Sequence, residues 1–260
     1  MPRESGAFSF KSLNIVILNS NKMKTRTIIL AVLLAGFSTV GFAQFRVGVK
    51  AGLNIAGLKG TQPPSVTAKQ KIGFHGGVTG EYVFLNPKFS LLAELLYSTQ
   101  GSITEQSHIS NNNGTYFYED EEARLSTTNI NLPIMLKYYV LDKLSIEGGP
   151  QFGFAIKAEK EIETTNSADP TQNSTATQDG LKDGFYNYRG VVYPYKQFVA
   201  PFEIGLTLGA GYDFTDKLYM QVHYNFGLTD VDPRGPEYLT GNSNKFTSSV
   251  FQVAMGYKFN

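Results

Sequence analysis

Three histidines, His75, His108 and His223, are the side chains of this 260-residue chain best suited to acid–base chemistry. Such catalysis needs an imidazole beside a carboxylate or a serine hydroxyl. The spacing identifies no such partner, and an isolated histidine inside a fold is more often a hydrogen-bonded filler. The chain has no cysteine, which excludes disulfides, thiolate metal sites and a thiol nucleophile. We therefore predict no catalytic residue, no enzyme activity and no cofactor.

An acidic run, Glu119-Asp120-Glu121-Glu122, is the clearest candidate for holding a metal ion. Carboxylate oxygens are suitable ligands for Ca²⁺ or Mg²⁺. The run lacks the ligand spacing of a known calcium loop, so a solvated acidic loop is the favoured interpretation, and no metal site is predicted.

Charged side chains also recur on one parity of segments that alternate apolar with polar or small residues. The nine members of this set are Arg46, Lys50, Glu81, Glu94, Lys137, Glu147, Glu203, Asp213 and Lys258. Their opposite signs nearly cancel, so charges sharing a narrow interior should pair. We predict a charge network that plugs a lumen; the alternative is a set of separate side chains facing water at different depths.

The alternation itself predicts strands, because a two-residue period gives a strand two different faces. Eight segments show it, near 45–54, 71–84, 89–100, 126–140, 144–157, 201–214, 218–229 and 246–259. In the last one, Phe251, Val253 and Met255 share one parity, while Gln252 and Ala254 share the other. No charged residue falls on the apolar parity of any segment, as a lipid-facing surface requires.

The connections alternate strictly in length. Tight turns occur at Asn86-Pro87-Lys88, Leu141-Asp142-Lys143 and Thr215-Asp216-Lys217. Long polar connections are expected near 55–70, 101–125, 158–200 and 230–245. Outer-membrane barrels have this arrangement, with short periplasmic turns and long external loops. We predict an all-β, eight-stranded antiparallel up-and-down transmembrane β-barrel over residues 44–260, with both of its ends in the periplasm.

The N-terminal part indicates export. Lys24 and Arg26 precede an apolar run from Ile28 to about Val40, followed by small residues up to Ala43. This pattern predicts a secretory signal peptide over 23–43, cleaved after Ala43, with residues 1–22 an upstream extension from a misplaced start. The run is too short for a spanning helix.

Composition favours a membrane barrel over a soluble one such as a lipocalin. The charged fraction is 17%, and the net charge of +1 gives no reason to expect nucleic acid as a partner. Many glycines fall on the polar parity, which suits a narrow lumen better than a wet surface. Aromatic residues lie near the turn-side strand ends, as in a membrane interface. They are Tyr82, Phe84, Phe89, Tyr138, Tyr212, Phe214, Tyr219 and Phe259.

Three stretches resemble the bacterial "porin family" outer-membrane protein β-barrel domain, an OmpA-like eight-stranded barrel; the secretion component PorT is similar in kind. They are Phe45 to Asn54 (FRVGVKAGLN), Asn131 to Tyr139 (NLPIMLKYY) and Gly205 to Tyr212 (GLTLGAGY). The resemblance covers essentially residues 44–260. It implies a Gram-negative outer-membrane location, with outer-membrane lipid and the barrel assembly machinery as partners.

Function is predicted more coarsely than fold. The connection at 158–200 becomes aromatic towards its end, and such a cluster would suit a protein partner or could extend the neighbouring strands. Its aromatic residues are Phe185, Tyr186, Tyr188, Tyr193, Tyr195 and Phe198. A structural or interaction role is the primary hypothesis. The alternatives are a narrow channel for small solutes or ions and a PorT-like secretion component.

Overall fold

The computed structural model describes residues 44–60, 66–112, 115–167, 169–188, 190–232 and 245–259. The chain divides into two units, Met1–Phe45 and Arg46–Asn260. Only Gln44 and Phe45 of the first unit are described. The predicted extension (1–22) and signal peptide (23–43) therefore lie outside the described residues. In the described part of the chain, no helix has the length and apolar character of a membrane-crossing helix.

Strands dominate the described residues, as the two-residue period predicts. They are β1 (Phe45–Lys59), β2 (Val66–Val83), β3 (Phe89–Asn112), β4 (Thr115–Leu141), β5 (Leu144–Asn166), β6 (Ser174–Asp179), β7 (Gly184–Tyr188), β8 (Val191–Tyr195), β9 (Phe202–Asp213), β10 (Leu218–Gly227) and β11 (Thr247–Lys258). A short 3₁₀ helix covers Pro170–Gln172.

Eight of the described strands close into an antiparallel ring. The order is β1-β2-β3-β4-β5-β9-β10-β11, and β11 pairs back with β1 in a register that sets Leu53 opposite Val253. The predicted tight turns join neighbouring strands; at one of them the Phe84 amide donates to the Phe89 carbonyl at 3.0 Å. Closure leaves no free sheet edge in the ring. The predicted fold class is confirmed.

The ring strands β1 to β5 extend beyond the predicted segments, whereas β9, β10 and β11 do not. The stretch 101–125 was predicted to be a loop, and this is wrong: β3 and β4 remain paired from Gly101 and Ser126 out to Asn112 and Thr115. At about 3.3 Å per residue, strands of 24 and 27 residues project well past an apolar band about 25 Å tall. Outside hydrocarbon both faces of a strand can be wet, so the apolar parity stops while backbone pairing continues.

The connection at 158–200 is also structured. β5 runs to Asn166, β6 pairs with it opposite residues 159–164, and β7 and β8 form a separate hairpin. Of the two interpretations of this stretch, strand extension holds for the fifth ring strand, whereas the sixth begins only at Phe202. The aromatic residues lie mostly on the separate hairpin.

The apolar parity faces outward around the ring. Val253 and Met255 are exposed, while the alternate residues Gln252 and Ala254 are buried. A soluble barrel would have the opposite arrangement, so the lipocalin-like alternative is wrong. Aromatic pairs such as Phe89–Tyr138 and Tyr257–Phe259 lie on the outside at the turn end. Tyr219, which was assigned to this belt, is instead 4% exposed and inside, because its parity faces the lumen and its ring lies over Gly256.

Leu95→Arg tests the outward face. Leu95 is exposed midway along the part of β3 that carries the apolar parity, so an arginine there should cost about 2–4 kcal/mol if lipid covers it. The measurement is the free energy of unfolding from lipid vesicles, with Leu85→Arg in the exposed turn as the control. Equal stability of the two variants would contradict a lipid-facing ring.

Candidate functional site

The interior of the ring collects the charged residues of the polar parity. The side chains of Lys50, Glu81, Glu94, Lys137, Glu147 and Lys258 are buried, and those of Asp213, Glu203 and Arg46 are partly buried. Seven of the nine join through ion pairs and hydrogen bonds; the described contacts leave Arg46 and Glu203 outside this set. We call the seven residues, with the polar side chains that link them, the lumen network.

The centre of the lumen network is an ion pair between β1 and β3. The Lys50 Nζ lies 2.6 Å from the Glu94 Oε2, and both side chains have no exposed surface. The same ammonium donates to the Gln221 Oε1 at 3.2 Å. Gln221 in turn donates from its Nε2 to the Glu147 Oε2 at 2.8 Å. A side chain from β10 thus joins two charged groups on opposite parts of the ring.

Glu147 connects this centre to the turn end of the barrel. Its Oε1 lies 3.5 Å from the Lys137 Nζ, and its Oε2 lies 2.7 Å from the His223 Nε2. Lys137 also approaches Glu81 at 3.8 Å, and the Ser90 hydroxyl donates to Glu81 at 2.6 Å. Alternating signs therefore continue across three strands, as a low-dielectric interior requires of buried charges.

Lys258 and Asp213 close the turn end. The Lys258 Nζ lies 2.9 Å from both oxygens of Asp213, and the Tyr139 hydroxyl donates to that carboxylate at 2.8 Å. Lys258 also lies 4.0 Å from Glu81, which links this pair to the centre. Arg46 lies beside Lys258 at the margin of a cavity of about 10 Å³. Such a volume holds about one water molecule.

Glycines on β9 make room for the network. A Cβ on Gly209 would lie 2.4 Å from the His223 Cδ2, and one on Gly211 would lie 2.5 Å from the Glu147 Oε1. Neither position could carry a side chain without moving these partners. The glycines that the sequence places on the polar parity therefore leave space for large neighbours on adjacent strands.

A second polar layer lies beyond the centre and contains His75. The His75 Nδ1 lies 2.7 Å from the Asn54 Oδ1, which also accepts from the Gln252 Nε2 at 2.9 Å. The Asn54 Nδ2 donates to the Ser98 hydroxyl at 3.0 Å. Among the described contacts, neither His75 nor His223 hydrogen-bonds a hydroxyl nucleophile. The side chains of His75 and His223 are buried in the lumen, and His108 lies on β3 in the projecting sheet.

The acidic run is part of β4 and not a loop. Because side chains alternate on a strand, Glu119 and Glu121 face one side and Asp120 and Glu122 the other. The Arg124 side chain pairs with Glu122 at 2.5 Å. Among the described residues no group of three acidic or histidine side chains is arranged to hold a metal ion.

The aromatic cluster forms on the β7–β8 hairpin and the segment after it. The Tyr186 ring stacks on Tyr193 at 5.6 Å between centroids, and Tyr195 lies 6.2 Å from Phe198. Phe185 is 72% exposed. The side chain of Tyr188 lies outside the described residues. The structure thus brings five of the six predicted aromatic residues into one region.

Several interior residues were not singled out from the sequence. Gln221 and Tyr139 contact the charged groups, Asn54 joins the side chains of the second polar layer, and all three lie on the polar parity that identified the charges. The position of these residues on the polar parity was therefore enough to predict that their side chains point inward. It did not predict which side chains they would contact.

The described geometry defines a membrane barrel with a polar, filled interior, and family comparison agrees. Residues 42–232 match the model of the outer membrane protein beta-barrel domain. The chain belongs to this family of outer-membrane β-barrel proteins. No curated protein matches the chain at a significant level.

Solved outer-membrane proteins are similar at low identity. Ail, the attachment invasion locus protein of Yersinia pestis, matches with 9% identity and a TM-score of 0.38, over 83% of this chain and 99% of that one. Neisserial surface protein A matches with 10% identity and a TM-score of 0.32, over 82% and 97%. OprG from Pseudomonas aeruginosa matches with 13% identity and a TM-score of 0.32, over 83% and 96%. At these scores no property of those proteins is carried over to this chain.

Glu94→Gln tests the lumen network. The substitution leaves the buried Lys50 ammonium without its carboxylate, which should destabilise the barrel by about 3 kcal/mol or more. The measurement is urea unfolding, read by migration on semi-native gels. Glu159→Gln is the control, because that carboxylate pairs with Lys157 at an exposed site and should matter little. Indistinguishable unfolding of the two variants would show that the buried pair contributes nothing.

Proposed function

We propose that this outer-membrane barrel is a closed scaffold whose role is to present external β-structure to a partner. The proposal includes export with signal-peptide cleavage after Ala43 and insertion by the barrel assembly machinery. The observation that carries it is the filled cross-section of the lumen at the level of Lys50, Glu94 and Glu147.

The lumen network supports closure because its side chains bind each other and not passing solute. Lys50 and Glu94 have no exposed surface, and Glu147 contacts Lys137, His223 and Gln221 at once. An ion crossing this level would have to separate buried charges, at a cost of several kcal/mol for each pair. The small cavity beside Lys258 and Arg46 gives no continuous path.

The outer part of the chain supports an interaction role. The projecting strands β3, β4 and β5 are widened by β6, and the β7–β8 hairpin exposes Phe185, Val192 and Tyr193. Rigid aromatic side chains give large contact area at low entropic cost, which suits a protein–protein contact. Exposed apolar residues beyond the membrane band have no lipid to cover them.

Conductance measurements distinguish a closed scaffold from the alternative of a narrow channel. In planar bilayers the purified protein should give no steady openings, because the lumen network blocks the path. The variant carrying both Lys50→Ala and Glu94→Ala lacks the central ion pair. Its conductance is the matched comparison for the unaltered protein. Reproducible openings of one size from the unaltered protein would overturn the closed scaffold.

Cysteine labelling tests which end of the barrel is external. Because the chain has no native cysteine, each introduced cysteine is the single site of labelling. Val192→Cys lies on β8 of the hairpin, and Asp216→Cys lies in a short turn at the other end. A membrane-impermeant maleimide should label Val192→Cys on intact cells and Asp216→Cys only after lysis. The reverse pattern would place the aromatic hairpin in the periplasm and exclude an external partner.

A further inference from the structure

A cavity of about 290 Å³ lies inside the ring at the end that carries the long connections. It is on the far side of the second polar layer from the turn end, between the outer parts of β1, β3, β4, β5 and β11. Its wall is mainly apolar and includes Ala56, Leu125, Ala155, Phe198, Val199 and Val250. This differs from the rest of the lumen, where charged and amide side chains fill the space.

The cavity has a built roof. Residues 196–200 form a segment that we call the strap. The amides of Phe198 and Val199 both donate to the Gly180 carbonyl, at 3.0 and 2.9 Å, and the Ala200 amide donates to the Val231 carbonyl at 2.7 Å. A Cβ on Gly180 would lie 2.8 Å from the Val199 Cγ2, so the strap packs directly on that glycine. Backbone bonds from three consecutive residues therefore hold Phe198 and Val199 over the cavity.

A salt bridge outside the membrane band fixes the start of the strap. The Lys196 ammonium donates to the Asp183 carboxylate at 2.7 Å, and the Gln197 amide donates to the same group at 2.9 Å. The hydrogen bond from Lys196, followed by that from the Gln197 amide, lowers the pKa of Asp183 below its usual value. Asp183 thus stays ionised and keeps its hold on the strap at neutral pH.

Glu203 brings one carboxylate into this apolar space. Its Oε1 accepts a hydrogen bond from the Ser248 hydroxyl, and both residues line the cavity. Among the described residues no lysine, arginine or histidine lies within ion-pair distance of Glu203. Lys160 and Asp232 also line the cavity, and each makes polar interactions of its own. A partly buried carboxylate in an apolar space, with a single hydroxyl donor, is costly unless another partner compensates it.

We propose that this cavity is a binding site for a small apolar amine, whose ammonium group pairs with Glu203 while its apolar body fills the space beneath the strap. The volume is about twice that of a cavity that holds one benzene ring, which limits the ligand to roughly one or two rings. Pockets of this type, apolar with few polar groups that fix orientation, are usual for small ligands. The site is separate from the lumen network, and it shares Phe198 with the aromatic cluster.

Fluorine NMR with the full-length barrel in lipid nanodiscs tests the proposal. The probes are 4-(trifluoromethyl)benzylamine and its methyl analogue, 4-(trifluoromethyl)toluene, each corrected for partition into empty nanodiscs. The amine should bind the unaltered protein about tenfold or more tightly than the methyl analogue, since a charge-assisted hydrogen bond is gained. Glu203→Gln should reduce amine binding to the level of the methyl analogue.

Pocket-filling variants separate the cavity from other surfaces. Ala56→Phe places a ring in the cavity and should abolish binding of both probes, whereas Ala51→Phe, an exposed alanine on the same strand, should leave it unchanged. Ala155→Phe on β5 is a second filling variant, should the first not fold, and gel migration reports folding for each. Equal binding of amine and methyl analogue, or retained binding in a folded filling variant, would overturn the proposal.

Discussion

Hydrocarbon offers no hydrogen-bond partner to a peptide group, and each unsatisfied group there costs several kcal/mol. The closed ring meets this constraint because each strand has two neighbours and β11 returns to β1. The apolar residues of each strand must then face lipid, which sends the alternate residues inward. The lumen network, the glycines that admit it and the cavity under the strap all depend on this single sorting of side chains.

Inside the ring, charge balance decides what the lumen can do. Lys50, Lys137 and Lys258 lie among Glu81, Glu94, Glu147 and Asp213, so that each of these three lysines contacts a carboxylate. Breaking one contact leaves a buried charge unpaired, which strongly destabilises the fold. Beyond the second polar layer the lumen is no longer filled by polar side chains. It contains instead the mainly apolar cavity that Glu203 lines. The two regions therefore underlie two different proposals, closure by the lumen network and ligand binding in the cavity beneath the strap.

The sequence was sufficient to predict the eight-stranded ring, but not the extension of its strands beyond the membrane. Residues such as Phe251, Val253 and Met255 alternate because lipid covers one side of β11, so their period identified the strand. Beyond the membrane no lipid covers one side of a strand. The paired stretch from Gly101 to Asn112 therefore shows no alternation of apolar and polar residues that would identify it as a strand. Parity likewise gave the direction of Glu94 but not its partner Lys50, since partners depend on the register around the whole ring. The cavity was not foreseeable, because its roof comes from a connection whose path follows no local pattern.

The most direct test uses the absence of native tryptophan. Single tryptophans introduced in turn at residues 251 to 255 of β11 can be quenched by brominated lipid chains in vesicles. We expect the quenching to alternate, strong at 251, 253 and 255 and weak at 252 and 254. Quenching at 252 and 254, or at none of the five positions, would contradict a ring whose apolar face is covered by lipid.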